Sequence, residues 1–127
     1  MEFDYTKTTA KTFDEAVERV QKEIAGAGMR VLCVHDVQKS LEEKGFDRAA
    51  FKIIEFCSAK YASKFLDADI KIGLCMPCKI NVYVALGQTF VSAMRPLVIK
   101  QFFPNADLGN MPKEIDEIIQ GIVNRVE

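Results

Sequence analysis

The sequence predicts an α+β fold: a mostly antiparallel sheet of about five to six strands with two long helices packed on one face. Three observations carry that prediction. Two segments near the ends of the chain, 13–24 and 115–126, repeat apolar residues at helical spacing. The middle of the chain runs instead on a period of two, most cleanly where Ile80, Val82, Val84 and Leu86 alternate with Lys79, Asn81, Tyr83 and Ala85. Such alternation suits antiparallel strands open on one side, since buried parallel strands read as continuous apolar runs, and tight turns join the segments.

Taken in order, residues 2–9 set Phe3 and Tyr5 among threonines and read as a short first strand. Thr12-Phe13-Asp14-Glu15 has the spacing of a capping box. Behind it Phe13, Ala16, Val17, Val20 and Ile24 form one apolar stripe on a helix that Gly26 and Gly28 end. Residues 30–37 are dense in branched side chains and predict a strand with Val31, Cys33 and His35 on one face. A short polar helix follows through Leu41 and stops at Gly45. Residues 51–57 predict a strand whose Ile54 and Phe56 oppose Phe51, Ile53 and Glu55, and 58–66 a helix capped by Ser58.

Ile70, Ile72 and Leu74 predict a further strand, broken by Cys75-Met76-Pro77-Cys78. The alternating strand 79–86 then turns at Gly87-Gln88 into a hairpin partner at 89–94. Residues 96–103 open a short helix, 104–110 form a loop, and Pro112 starts the last helix, with Ile115, Ile118, Ile119, Ile122 and Val126 on one stripe.

Composition narrows the function classes. A chain of 127 residues is the size of one domain, 1–127, and buries roughly two-thirds of its unfolded surface, enough for a core without metal or disulfide staples. Seventeen basic residues against eighteen acidic ones give a net charge of −1, so neither nucleic acid nor an anionic membrane is expected as a partner. The first residues carry acids rather than a basic and then apolar leader, and no apolar run reaches the roughly 20 residues a bilayer needs. The expected location is the cytoplasm, with Cys33, Cys57, Cys75 and Cys78 reduced.

Cys75 and Cys78 are the most suggestive residues. At this spacing both sulfurs face one point if the backbone turns between them, and Pro77 supplies the turn. An unbroken strand would send them to opposite faces. The Met76-Pro77 bond is also a candidate cis site.

The pattern of the whole chain resembles the small bacterial and archaeal family catalogued as domain of unknown function 302. The resemblance rests on Thr-Phe-Asp-Glu-Ala-Val at 12–17, Met29-Arg30-Val31-Leu32, Lys52-Ile53-Ile54-Glu55-Phe56-Cys57, and the run from Ile72 to Tyr83 with its Pro-Cys step. It implies a two-layer fold of β-α-β(4)-α type, similar to the TATA-binding-protein-like group, and a homodimer. DNA binding does not follow from the fold. The family pattern maps onto Cys57 and Cys78, while Cys75 departs from it by turning a single Pro-Cys thiol into a pair.

Several readings of the cysteines stay open. As small buried hydrophobes they would be structural. As a reactive pair, Cys78 would act as nucleophile or sulfur carrier, Cys75 would resolve it and Cys57 would stand as a third thiol, in a non-enzymatic protein that carries persulfide or senses redox state with a partner protein. Lys79, beside Cys78, would help hold a thiolate. As metal ligands, Cys75, Cys78 and Cys57, with Cys33 and His35 as further candidates, would suit zinc, and Met76 adds a thioether fitted to Cu(I).

Covalent haem is not expected, because Lys79 stands where the Cys-x-x-Cys-His motif has histidine. His35 could serve a cysteine as general base. Tyr61, Phe65, Phe102 and Phe103 could line an apolar pocket for a small ligand, with the cysteines structural. Glu42/Glu43 and Asp67/Asp69 read as solvated charges, and no glycine-rich phosphate loop is present.

Overall fold

Branched and aromatic residues at alternate positions draw five segments into one sheet. In the computed structural model, which describes residues 2–127 and leaves Met1 outside, the strands are β1 (Asp4–Thr9), β2 (Arg30–Asp36), β3 (Phe51–Cys57), β4 (Cys78–Ala85) and β5 (Gln88–Met94). Their order is β1-β5-β4-β3-β2, and every neighbouring pair is antiparallel. The long helices are α1 (Phe13–Gly26) and α5 (Met111–Asn124). Shorter helices α2 (Val37–Glu42), α3 (Ala59–Ala68) and α4 (Leu97–Phe102) occupy connections. This is the expected two-layer α+β architecture.

Helix α1 begins at the predicted capping box. Glu15 N–H donates to Thr12 Oγ1 at 3.2 Å, and Thr12 N–H donates to Glu15 Oε1 at 2.9 Å. The second of these bonds, made by the Thr12 backbone, is the main cause holding the Glu15 carboxyl below its ordinary range. Ala16, Val17, Val20 and Ile24 then bury one face of α1 against the sheet. Helix α5 buries Ile115, Ile119, Ile122 and Val123 alongside. The sheet answers with Ile54, Phe56, Ile80, Val82, Val91 and Ala93, all buried on the same face. Burying one such Ile or Phe side chain contributes about 1.5–3 kcal/mol, so this seam is the main source of stability.

No helix is long and apolar enough to cross a membrane among the described residues. On the opposite sheet face Phe51, Tyr83 and Phe90 stack across β3, β4 and β5, with ring centroids 5.4 and 5.3 Å apart. The register sets these residues directly opposite one another.

The structure departs from the sequence expectation in three places. Ile70–Cys75 is a 3-10 helix rather than a strand. Asp69 caps it by accepting from Lys71 N–H, and only Ile72 turns inward, leaving Ile70 79% and Leu74 89% exposed. Three apolar residues at spacing two are too short a pattern to demand a strand when no partner strand lies alongside. The sheet therefore has five strands. Second, β2 contains a bulge between Val31 and Cys33. One extra residue flips the alternation, so Val31 packs toward the core while Cys33 and His35 face the other side. Third, Leu86 leaves the strand face and forms the turn with Gly87. Both have positive φ, 53° and 73°, which the right-handed twist of a two-residue hairpin favours.

Candidate functional site

The end of β3, the start of β4 and the 3-10 helix meet where the two main layers part. Pairing of Phe56 with Cys78 brings the strand ends together, so Cys57 and Cys78 become neighbours although twenty-one positions separate them in the chain. Gly73 lets the 3-10 helix lie against α3: a Cβ there would come within 3.3 Å of Leu66 Cδ2. That approach carries Cys75 toward the same place. The Met76–Pro77 peptide that follows is cis.

The result is a cavity of about 260 Å³. Cys57, Cys75 and Cys78 all line it, and so do Met29, Met76 and Met94. Three of the chain's four cysteines and three of its five methionines thus share one wall system. Tyr61, Ala62 and Phe65 present one face of α3 to it, α4 contributes Ile99, and α5 contributes Ile115. Leu74 lies at its exposed margin. Of the aromatic residues expected to enclose a pocket, Tyr61 and Phe65 do so. Phe102 is 71% exposed instead, and Phe103 packs against the core.

The electrostatics of the cavity favour neutral groups. Burial, reinforced by the nearby Cys57 thiol, pushes the Cys78 thiol up to about 11. Cys78 is therefore a neutral thiol at pH 7, and the adjacent Lys79 does not offset the desolvation. Tyr61 is raised too, chiefly by burial and then by its hydrogen bond to Glu114. Its hydroxyl donates to Glu114 Oε2 at 3.2 Å and ties α3 to α5.

Metal-ligand geometry falls elsewhere. Among the described residues, the one group of three or more His, Cys, Asp or Glu side chains whose donor atoms all lie within 4.8 Å of one another is Cys33, His35 and Glu55. Cys57, Cys75 and Cys78 share a cavity without forming such a cluster, and Cys33 and His35, on the opposite sheet face, do not join them. Among the described residues all four cysteines are free.

Met29, Met94 and Ile99 were not singled out from sequence, Met76 was read there only as a thioether metal ligand, and Ile115 only as part of a helix stripe. Met29, Met94 and Ile99 come from distant segments and carry no local motif, so only the sheet register and helix packing gather them.

A family model described as Domain of unknown function DUF302 matches residues 5–126. The crystal structure of an uncharacterized conserved protein DUF302 from Bacillus stearothermophilus is similar over 100% of both chains, with 25% identity and a TM-score of 0.93. No curated protein is similar enough to match.

Proposed function

The chain belongs to the DUF302 family, and from that premise we propose that it is a binding module for a small, mostly apolar molecule held in the sulfur-lined cavity. The observation that carries this reading is the cavity itself: a concave space walled mostly by methionine, aromatic, aliphatic and cysteine side chains, with Ser58 and Lys79 as its polar members. Its volume of about 260 Å³ sits just below the range of about 300–1,000 Å³ typical of ligand pockets, which favours a compact ligand. Methionine side chains are flexible and polarizable and adapt to ligands of varied outline. A neutral Cys78 adds a soft, weakly polar contact and no charge to desolvate.

A neutral apolar dye such as Nile red is the probe for a direct test. The native protein should enhance its emission and saturate. Ala62→Phe, which fills the cavity from α3, should abolish the enhancement, while Cys78→Ser should retain it. Equal enhancement by Ala62→Phe and the native protein would remove this reading.

Convergence of Cys57, Cys75 and Cys78 supports a second reading, in which the pair handles sulfur or senses redox state with a partner protein. The raised Cys78 thiol works against it, because acceptor and resolving thiols alike attack as thiolates, and in this reading the attack falls to Cys75 or Cys57 with Cys78 as the sulfur attacked. Native and denaturing mass spectra of anaerobically purified protein separate the readings. A covalent added-sulfur mass lost in Cys75→Ser and Cys78→Ser would carry the second one. A non-covalent mass lost on denaturation would carry the first.

A further inference from the structure

The uncovered face of the sheet holds a second cluster, remote from the cavity in chemistry and in the side it faces. Cys33 and His35 are two residues apart on β2 and so project to the same side. The register sets Glu55 of β3 directly across from Cys33. The bulge at Val31/Cys33 is what frees this pair from the core face, because Val31 packs inward just before it.

Cys33 Sγ lies 3.9 Å from His35 Nδ1, and His35 Nε2 is hydrogen-bonded to Glu55 Oε1. One donor atom from each of the three residues falls within 4.8 Å of the other two. In a tetrahedral zinc site with Zn–S of about 2.3 Å and Zn–N of about 2.0–2.1 Å, the sulfur and nitrogen stand about 3.6 Å apart. The observed separation is a few tenths of an ångström wider, and with the ion at Nδ1 the Glu55 carboxylate must leave Nε2 and swing to the Cys33 side; the exposed Cys33 and His35 residues leave room for both movements.

We propose that Cys33, His35 and Glu55 bind a divalent transition-metal ion of the zinc type, with water in the fourth position. The donor set selects the class. One thiolate, one imidazole and one carboxylate suit a borderline ion. Calcium and magnesium prefer all-oxygen shells, and Cu(I) prefers sulfur. The thiolate and carboxylate together carry two negative charges, so the bound ion is neutralised within its own ligands. Three protein ligands and an exposed face leave the fourth position open to solvent or to a ligand atom from outside, the arrangement of a reactive rather than a closed structural site.

The site rests on β2 and β3 alone and does not depend on the cavity being occupied. Its test uses Co(II) as the probe, titrated into reduced protein without oxygen. The expected result is a thiolate-to-cobalt charge-transfer band in the near-ultraviolet, with d–d bands in the visible, saturating at one equivalent per chain. Cys33→Ser should abolish the charge-transfer band. His35→Ala and Glu55→Gln should each weaken cobalt affinity by about tenfold or more. Circular dichroism checks that each variant is folded. A native protein that gives no charge-transfer band, or a band that survives Cys33→Ser because the cavity thiols supply it, would overturn the site.

Discussion

Arg95 grips the carboxylate of Asp116 at two points, Nε to Oδ1 at 3.1 Å and Nη2 to Oδ2 at 2.9 Å. Asp116 is the buried charged residue of α5, 3% exposed, and Gln120 Nε2 donates to it as well at 2.7 Å. Arg95 follows β5 directly, so the pair ties the end of the sheet to the last helix. The two partners differ in burial, and that difference sets the cost of losing each. Arg95→Leu leaves a buried carboxylate with Gln120 alone and should destabilise by about 2–3 kcal/mol. Asp116→Leu releases a guanidinium that can turn to water and should cost less, about 1 kcal/mol. Urea denaturation midpoints of the two variants measure this, and equal losses would contradict the asymmetry.

The Cys78 thiol makes stability depend on alkaline pH. Its folded value is raised from 9.0 to about 11 by burial and by Cys57. Between those values the unfolded chain has lost the proton while the folded chain keeps it, so stability falls as pH rises. The contribution is intact below pH 9 and is lost through pH 11, on the order of 2–3 kcal/mol in all. Denaturant midpoints of the native protein and Cys78→Ala, compared at pH 8 and pH 10.5, should draw together at the higher pH. Parallel curves would exclude it.

Thiol labelling gives a matching expectation. With a disulfide reagent at pH 7.5, exposed Cys33 should react first and half-buried Cys78 far more slowly, since the thiolate is the nucleophile and the Cys78 thiol stays neutral. Mass spectrometry of the partly labelled protein identifies the order. Early modification of Cys78 would mean that the cavity opens readily.

Leu86 occupies the first central position of the β4–β5 turn with φ of 53° and is 98% exposed. A bulky side chain is strained there, whereas asparagine tolerates the left-handed region. Leu86→Asn should stabilise by about 0.5–1 kcal/mol, read as a rise in melting temperature. A fall would show that Leu86 makes a contact which outweighs the strain.

Thr12 predicts the opposite sign. Thr12→Ala removes the acceptor for Glu15 N–H and should cost about 1 kcal/mol, while Thr12→Ser should be close to neutral. Thermal melts of both variants give the comparison.

These contrasts indicate what could be read from sequence. Thr12 and Glu15 are three residues apart and define a helix start within one turn, so α1 was legible. Alternation from Lys79 to Ala85 was equally local. Ile70, Ile72 and Leu74 showed the same period over too few residues, and the absence of a neighbouring strand decided the outcome. At Val31 one inserted residue reversed a face, which no count of alternate positions reveals. The Cys75–Cys78 spacing announced a thiol pair, but its meeting with Cys57 depended on the Phe56–Cys78 register. Glu55 joined Cys33 and His35 in the same way, through the Cys33–Glu55 register between residues twenty-two positions apart.

The bulge has another consequence. β2 is an outermost strand, with one row of backbone amides and carbonyls left without a neighbouring strand. A strand from another chain that tried to extend the sheet there would lose its regular ladder at Leu32. The same irregularity that exposes Cys33 therefore guards this flank against templated polymerisation, and it steers self-association away from sheet extension along β2.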